Sequence, residues 1–516
     1  MGVSAYLFEL RQIQRFIFST GKLRDVSGAS ELLDDICNDT DGKPHGVGGL
    51  AGELIDAHLI GATVYRAAGG ALDLSHGDAA AVRAFRAAFR LRLAKKAPGL
   101  VFSDAIGDGS DVYTARNSAR NAMSDEGPVR GVNLPLGAPI LRPAPRSGGN
   151  PALLPHWTIQ GKCPITDEYA EIATHLARWH LQNHREILAA KFLPQEFEGQ
   201  GYRWPTVFPS NEAKAATLND GKAAKQVIFP FVPGNIPRIA VLHADGNGMG
   251  AIFKAAVDKF KREPEKVREL SRALSKATQE AVQQAMVPVL KMAIDKHIPA
   301  RPIVLGGDDI SIILRADLAP AFAQDFIAAY EVLASEAVRA LGVLEENQKL
   351  TSKVGFVVIG PSQPFLHAYG LAESLASAAR DPNESRIAFH RVAGAAIAGA
   401  ASDLEKDGRG PLGHSVWRAA HSNDDMKALT ELARLLDDDD VGRGGLRKVA
   451  ELLKDDPNEA QRVYARALDV LATRNPAKKK ELVDLLTKFG VTDLRTPGWC
   501  PLLQAHDLSH IFGRVA

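Results

Sequence analysis

Cysteine is scarce in this chain: its 516 residues include only Cys37, Cys163 and Cys500, at no paired spacing. This speaks against a disulfide framework and a structural zinc site, and it fits a reducing cytoplasm. Net charge is also lacking, because 62 Lys and Arg face 61 Asp and Glu for a formal +1. No global field draws the protein to nucleic acid or to an anionic membrane, so any such contact must be a local patch. Long apolar runs are missing as well: no stretch of about 18 apolar residues occurs. The opening MGVSAYLFELRQIQRF has no apolar core ahead of a cleavage site. The expectation is a cytoplasmic protein that neither spans a membrane nor is secreted. With 45% hydrophobic and 24% charged residues, the composition is globular, with length for about two to four domains.

What is present is organised around residues 301–314, RPIVLGGDDISIIL. Apolar, β-branched runs flank Gly306 and Gly307, which can supply the positive φ of a tight turn, so the stretch reads as a β-hairpin with Asp308 and Asp309 at its tip. Adjacent carboxylates on a rigid turn repel, which costs free energy unless a cation or base compensates. Upstream, residues 239–253, IAVLHADGNGMGAIF, read as an apolar strand ending in Asp245, a glycine-rich turn and a helix start. In a ferredoxin-like βαββαβ sheet the first strand lies antiparallel beside the third, so Asp245 is expected to face Asp308 and Asp309. Three carboxylates with open positions suit Mg²⁺ or Mn²⁺, in outline the two-ion chemistry of phosphoryl transfer. The backbone N–H groups of Gly246, Asn247, Gly248 and Met249, at a helix N-terminus, are suited to cradle a triphosphate.

The same layout occurs earlier. Residues 5–10 read as a strand and 12–18 as a helix start, and Ser27 and Ser30 are candidate caps for a helix beginning near Glu31. GATVYRAAGGALDLS then gives a strand, a Gly69-Gly70 turn and a second strand. Glu9 or Leu10 stands where Asp245 stands, and Ala71 and Leu72 where Asp308 and Asp309 stand, so this copy lacks the hairpin acids. Residues 79–96 read as a helix and 111–115 as the start of a strand. From 125 to 235 prolines cluster and one helix, 168–192, is embedded, with Tyr202, Arg203 and Trp204 either a packed anchor or a base-stacking group. Helices at 263–296, 320–341 and 365–380 and strands at 353–359 and 386–392 complete the second copy. The expected class is α/β (α+β): a first palm (1–124), an insert (125–235), a second palm (236–397) and a C-terminal helical domain (398–516).

IQRFIFSTGKLRDVSGASELL, AAGGALDL, VLHADGNGMGAIF, VLGGDDISIIL, VGFVVIGPSQPFLHAYGLAESLASAAR and SRIAFHRV, in that order, resemble the large palm-domain subunit of type III CRISPR effector complexes, a nucleotide cyclase-polymerase. The resemblance implies two pseudo-symmetric palms that bind two ATP molecules and join them 3′–5′ into cyclic oligoadenylate. It implies Asp245 and Asp308 as metal ligands, Asp309 as ligand or base, and Gly246 adding its carbonyl. Lys353 and Arg380 would meet phosphates, and Ser27, Gly28 and Ser30 would touch the second nucleotide. Asn247 departs from the acid often found there, which should weaken metal binding. The family's zinc motif and HD nuclease domain are missing, so DNA cleavage is not expected; His506, Asp507 and His510 read as exposed or capping residues. The implied partners are effector subunits and target RNA, unless the protein stands alone. Two other readings remain: a cyclic dinucleotide synthase, whose related hairpin is GGDEF, and a non-catalytic scaffold binding RNA and subunits. A template-directed polymerase fits less well, since neither the near-zero net charge nor the tail of the sequence suggests a long basic duplex cleft.

Overall fold

The computed structural model describes residues 2–40, 43–68, 70–130, 172–209, 227–260, 263–394, 397–441 and 443–512. The SAYLFEL run is buried at almost every position, which suits a strand with neighbours on both sides. It forms β1 (Val3–Arg11), central in a sheet with β2 (Thr63–Ala68), β3 (Ala71–His76), β4 (Val101–Gly109) and β5 (Val129–Arg130), in the order β2-β3-β1-β4-β5. Helices α1 (Ile13–Ile17), α2 (Leu23–Asp34) and α3 (Gly49–His58) link β1 to β2; α4 (Ala79–Lys96) links β3 to β4, and α5 (Val112–Glu126) follows β4. Phe85 and Phe89 of α4 meet Tyr6 and Phe8 of β1 edge-on, with ring centroids 5.5 Å and 4.9 Å apart, the arrangement aromatic quadrupoles favour.

Helices α6 (Ile172–Asn183) and α7 (Ile187–Lys191) lead to the second sheet. There β6 (Ile239–Gly246) is followed by α8 (Met249–Lys259) and α9 (Pro264–Lys291), then the hairpin of β7 (Ala300–Gly306) and β8 (Asp309–Arg315). Next come α10 (Ala319–Ala340), β9 (Ser352–Ile359), α11 (Phe365–Ala378) and β10 (Arg386–Arg391). The order β7-β8-β6-β9-β10 repeats that of the first sheet. Each sheet is therefore a ferredoxin-like palm with one added edge strand, antiparallel in the first and parallel in the second. One apolar core runs through both, joining Tyr6, Phe8 and Phe18 to Val241, Ile313, Val357 and Tyr369. Helices α12 (Ala401–Gly408), α13 (Asn423–Asp437), α14 (Arg443–Leu452), α15 (Pro457–Arg474), α16 (Pro476–Lys488) and α17 (Leu502–Phe512) follow. Among the described residues no helix is long and apolar enough to cross a membrane.

Several local expectations are corrected. Ser27 and Ser30 do not cap a helix near Glu31; they lie inside α2, which starts at Leu23, because Gly28 lets α6 approach until a Cβ there would sit 2.3 Å from the Ala177 carbonyl oxygen. Residues 111–115 begin a helix, with Asp111 accepting the Thr114 N–H at 2.8 Å as its cap. The expected 168–192 helix is broken into α6 and α7, its first four residues lying outside the described ones along with Cys163. The hairpin equivalence shifts by one: Ala68 pairs with Ala71 as Gly306 pairs with Asp309, so Gly70 stands where Asp308 stands and Ala71 where Asp309 stands. Glu9, opposite Ala71, is the counterpart of Asp245. Trp204 is buried as an anchor, and Tyr202 lies under the Lys296 ammonium at 4.3 Å. His506 is buried rather than exposed, and Asp507 accepts two hydrogen bonds from Arg391.

Gly355 of β9 sets how closely the second palm closes, since a Cβ there would meet the Ala372 carbonyl oxygen of α11 at 2.0 Å. Gly355→Ala should cost about 3 kcal/mol in urea unfolding. Gly370→Ala, exposed on the same helix with nothing within 4 Å of the new methyl, should instead stabilise by about 0.5–1 kcal/mol.

Candidate functional site

The hairpin turn is made by Gly307, at φ +63°, and Asp308, closed by the Gly306–Asp309 pair. Ala244 pairs with Ile310, which leaves Asp245 as the next residue of β6, at the hairpin tip. Asp245 and Asp308 share a hydrogen bond, and the Asp308 carboxyl is pushed up to about 7, first by burial and then by the neighbouring Asp245 charge. The approach depends on Gly246: a Cβ there would lie 2.5 Å from the Tyr330 hydroxyl and 3.1 Å from Asp308 Oδ2. The Tyr330 hydroxyl in turn points at Met249 Sδ, at 3.9 Å.

Lys353 comes from β9, directly opposite Asp245. It is buried, its ammonium contacts Asp245 Oδ2, and it lies 3.4 Å from the Gly246 carbonyl oxygen. It thus faces the acids from inside the sheet, whereas Arg380 is exposed just beyond α11. Asp309 turns away from the other two: its Oδ1 is 3.2 Å from His243 Nδ1, as an ion pair without hydrogen-bond alignment, since no described donor points at that oxygen. His243 Nδ1 is also 3.3 Å from the Ser311 hydroxyl and 3.4 Å from that of Tyr369. Burial opposes charge on the imidazole, but the Asp309 carboxylate outweighs it and holds His243 above its ordinary range.

The turn after Asp245 is clamped by Asn247, whose amide donates to Thr351 Oγ1 at 3.0 Å and to the Asp381 carbonyl at 2.9 Å. Its backbone N–H adds a bond to the Thr351 carbonyl at 2.8 Å. An acid at this position has no amide hydrogens for those bonds. Gly248, at φ +71°, then starts α8 with Met249 as its first residue. Ser27 and Ser30 are brought not to the acids but to the contact between palms: both are buried, and the Ser30 hydroxyl donates to the Ile303 carbonyl of β7. His243, Tyr330 and Tyr369 were not anticipated. The sequence signal for His243 was a lone polar residue two before Asp245 in VLHAD, hence on the same sheet face.

A strand-end acid beside an acid-tipped hairpin, on one of two fused ferredoxin-like palms, defines a paired-palm protein. Residues 238–388 match the family Cas10/Cmr2, second palm domain. The match covers the second palm, which is therefore similar to that family's domain; over the whole chain the likeness is one of fold. Csm1 in T.onnurineus is similar with a TM-score of 0.53 and 14% identity, over 99% of this chain and 70% of that one. A Csm1-Csm4 cassette in complex with cA4 gives 0.52 and 14%, over 99% and 69%, and one in complex with cA3 gives 0.50 and 13%, over 99% and 70%. No curated protein matches the sequence.

Among the described residues no three His, Cys, Asp or Glu side chains cluster closely enough to hold an ion. The donor chemistry of Asp245, Asp308 and the Gly246 carbonyl nonetheless fits a hard divalent cation, because these are oxygen donors whose two carboxyls repel at close range. The folded Asp308 carboxyl, pushed up to about 7 from its ordinary 3.8, keeps a proton that the unfolded chain has lost. Stability therefore falls as pH rises through that window. Asp308→Asn should melt about 2–4 °C above the parent at pH 8 without divalent ions, with the gain vanishing below about pH 4. Mg²⁺ should raise the parent's Tm and leave the variant's unchanged, as read by scanning calorimetry.

Proposed function

We propose that this chain is the cyclase-type subunit of a type III CRISPR effector, a metal-dependent nucleotidyltransferase that joins ATP into cyclic oligoadenylate. The observation that carries this reading is the Asp245–Asp308 pair, two carboxyls held so close that they call for a proton or a cation between them. Asp245, Asp308 and the Gly246 carbonyl would hold Mg²⁺ or Mn²⁺, two ions in the full arrangement, which when bound would neutralise charge on the phosphates and on the departing pyrophosphate. Of the two roles open to Asp309, ligand or base, its contact with His243 favours the base.

In the reaction the 3′-hydroxyl of one ATP loses its proton, its oxygen bonds to the α-phosphorus of the other, and the bond to the β-phosphate oxygen breaks. Asp309 is the acceptor for that proton, and His243 behind it keeps the carboxylate oriented. The N–H groups of Gly248 and Met249 receive phosphate oxygens at the start of α8, while Gly306 and Gly307 leave the hairpin backbone open to close approach. Lys353 and Arg380 supply positive charge from the β9 side. Ser30 holds α2 against β7, and it and Ser27, one turn earlier on the same helix, lie on the side assigned to the second nucleotide. The Csm1-Csm4 likeness supports a neighbouring effector subunit as partner; target RNA is proposed as a further partner.

A second reading, a non-catalytic scaffold, draws on one observation: Lys353 already neutralises Asp245. Incubation with labelled ATP or GTP and Mg²⁺ or Mn²⁺, with products resolved by mass spectrometry, separates the two. Cyclic adenylate is expected, reduced at least about 10²-fold in Asp308→Ala. A guanine product would assign a cyclic dinucleotide synthase, and unchanged turnover by the variant would remove Asp308 from the mechanism.

A further inference from the structure

A cleft of about 720 Å³ opens between the start of β10 and the C-terminal helices, lined among others by Glu384, Arg386, Arg409, Trp417, Arg418 and Trp499. Its volume is that of a small-molecule site. The Arg418 guanidinium lies 4.0 Å over the Trp499 ring, and its side chain remains 38% exposed. The stack is fixed from behind, because the Trp499 indole N–H donates to Gln504 Oε1 at 2.9 Å and Arg418 bonds Asp425. A guanidinium held flat on an indole presents a plane on which an aromatic ring can stack.

Two further arginines stand at the same cleft. Arg386 reaches Asp381 at 2.8 Å and Glu384 at 3.2 Å. Among the described residues Arg409 pairs with Glu405, at 2.8 Å, in a surface pair with 63% of its side chain exposed. Such exposed pairs are weak, and arginine binds phosphate oxygens in a forked geometry that exchanges readily for a carboxylate. We propose that this cleft binds a nucleoside phosphate, its base on the Arg418–Trp499 stack and its phosphate on Arg386 and Arg409. The volume accommodates one nucleotide rather than a strand.

The cleft also communicates with the acidic hairpin. The Asp381 carboxylate holds Arg386, while the Asp381 carbonyl accepts the Asn247 amide that clamps the turn after Asp245. A phosphate that draws Arg386 away from Asp381 acts on that turn through a single residue. The site is thus placed as an effector site, and its binding step is independent of the cyclase reading.

The test is AMP titrated into the full chain in EDTA, followed by calorimetry, with inorganic phosphate as competitor. Saturable binding is expected, weakened at least about tenfold in Arg409→Glu and in Arg418→Gln, and retained in Asp308→Asn. Arg409 is a surface residue, so its variant keeps the test valid if Arg418→Gln unfolds. No saturation up to about 10 mM, or equal affinity in Arg409→Glu, overturns the proposal, as does a loss confined to Asp308→Asn, which would put AMP at the palm.

Discussion

Two half-buried carboxyls and one buried ammonium, held together, set the terms for the second palm. Asp245 and Asp308 are brought together by strand pairing, not by choice of rotamer: the β6–β8 register carries one to the strand end and the hairpin carries the other to its tip. Such a pair is disfavoured in isolation, and the structure answers in two ways. Asp308 keeps its proton up to about neutral pH, and Lys353, supplied by the strand on the other side of β6, lies against Asp245. A divalent ion would compete with both, so the proton and the ammonium are what an incoming cation must replace.

The rest of the fold holds this arrangement from behind. Helix α2 of the first palm touches β7, the strand feeding the hairpin, through Ser30 and Glu31. Glu31 accepts the Leu188 and Ala189 N–H groups of α7 at 2.9 and 3.0 Å and lies 3.5 Å from the buried Arg301 of β7. Its carboxyl is pushed up to about 7, chiefly by burial. Arg301 also reaches Glu186 at 3.0 Å, and Arg178 of α6 pairs with Asp25 of α2. The helices between the palms thus act as a polar staple through which the first palm, lacking hairpin acids of its own, bears on the second.

The fold was legible because its signals are local. Apolar runs flanking GG marked both hairpins, and DGNGMG after an apolar strand marked the turn. What escaped was anything that depends on how segments meet. Ser27 and Ser30 read as caps because serine before an apolar run commonly caps, whereas here Gly28 makes α2 a close-packed helix against α6. The one-residue slip in the first hairpin arose because GG was aligned to GG, while the strand register aligns Gly70 with Asp308. For the site, the three acids stood out in the sequence and the family resemblance pointed to Lys353, but that Lys353 rests on Asp245 and Asp309 on His243 follows only from cross-strand neighbours. Asn247 looked like a lost ligand; its two donated bonds give it a structural task that an acid cannot perform.

The most direct test is anomalous scattering from crystals grown with Mn²⁺ and a non-hydrolysable ATP analogue. A manganese peak coordinated by Asp245 and Asp308 is expected, with the Lys353 ammonium withdrawn from Asp245. Manganese bound elsewhere, with Lys353 still on Asp245, would contradict it.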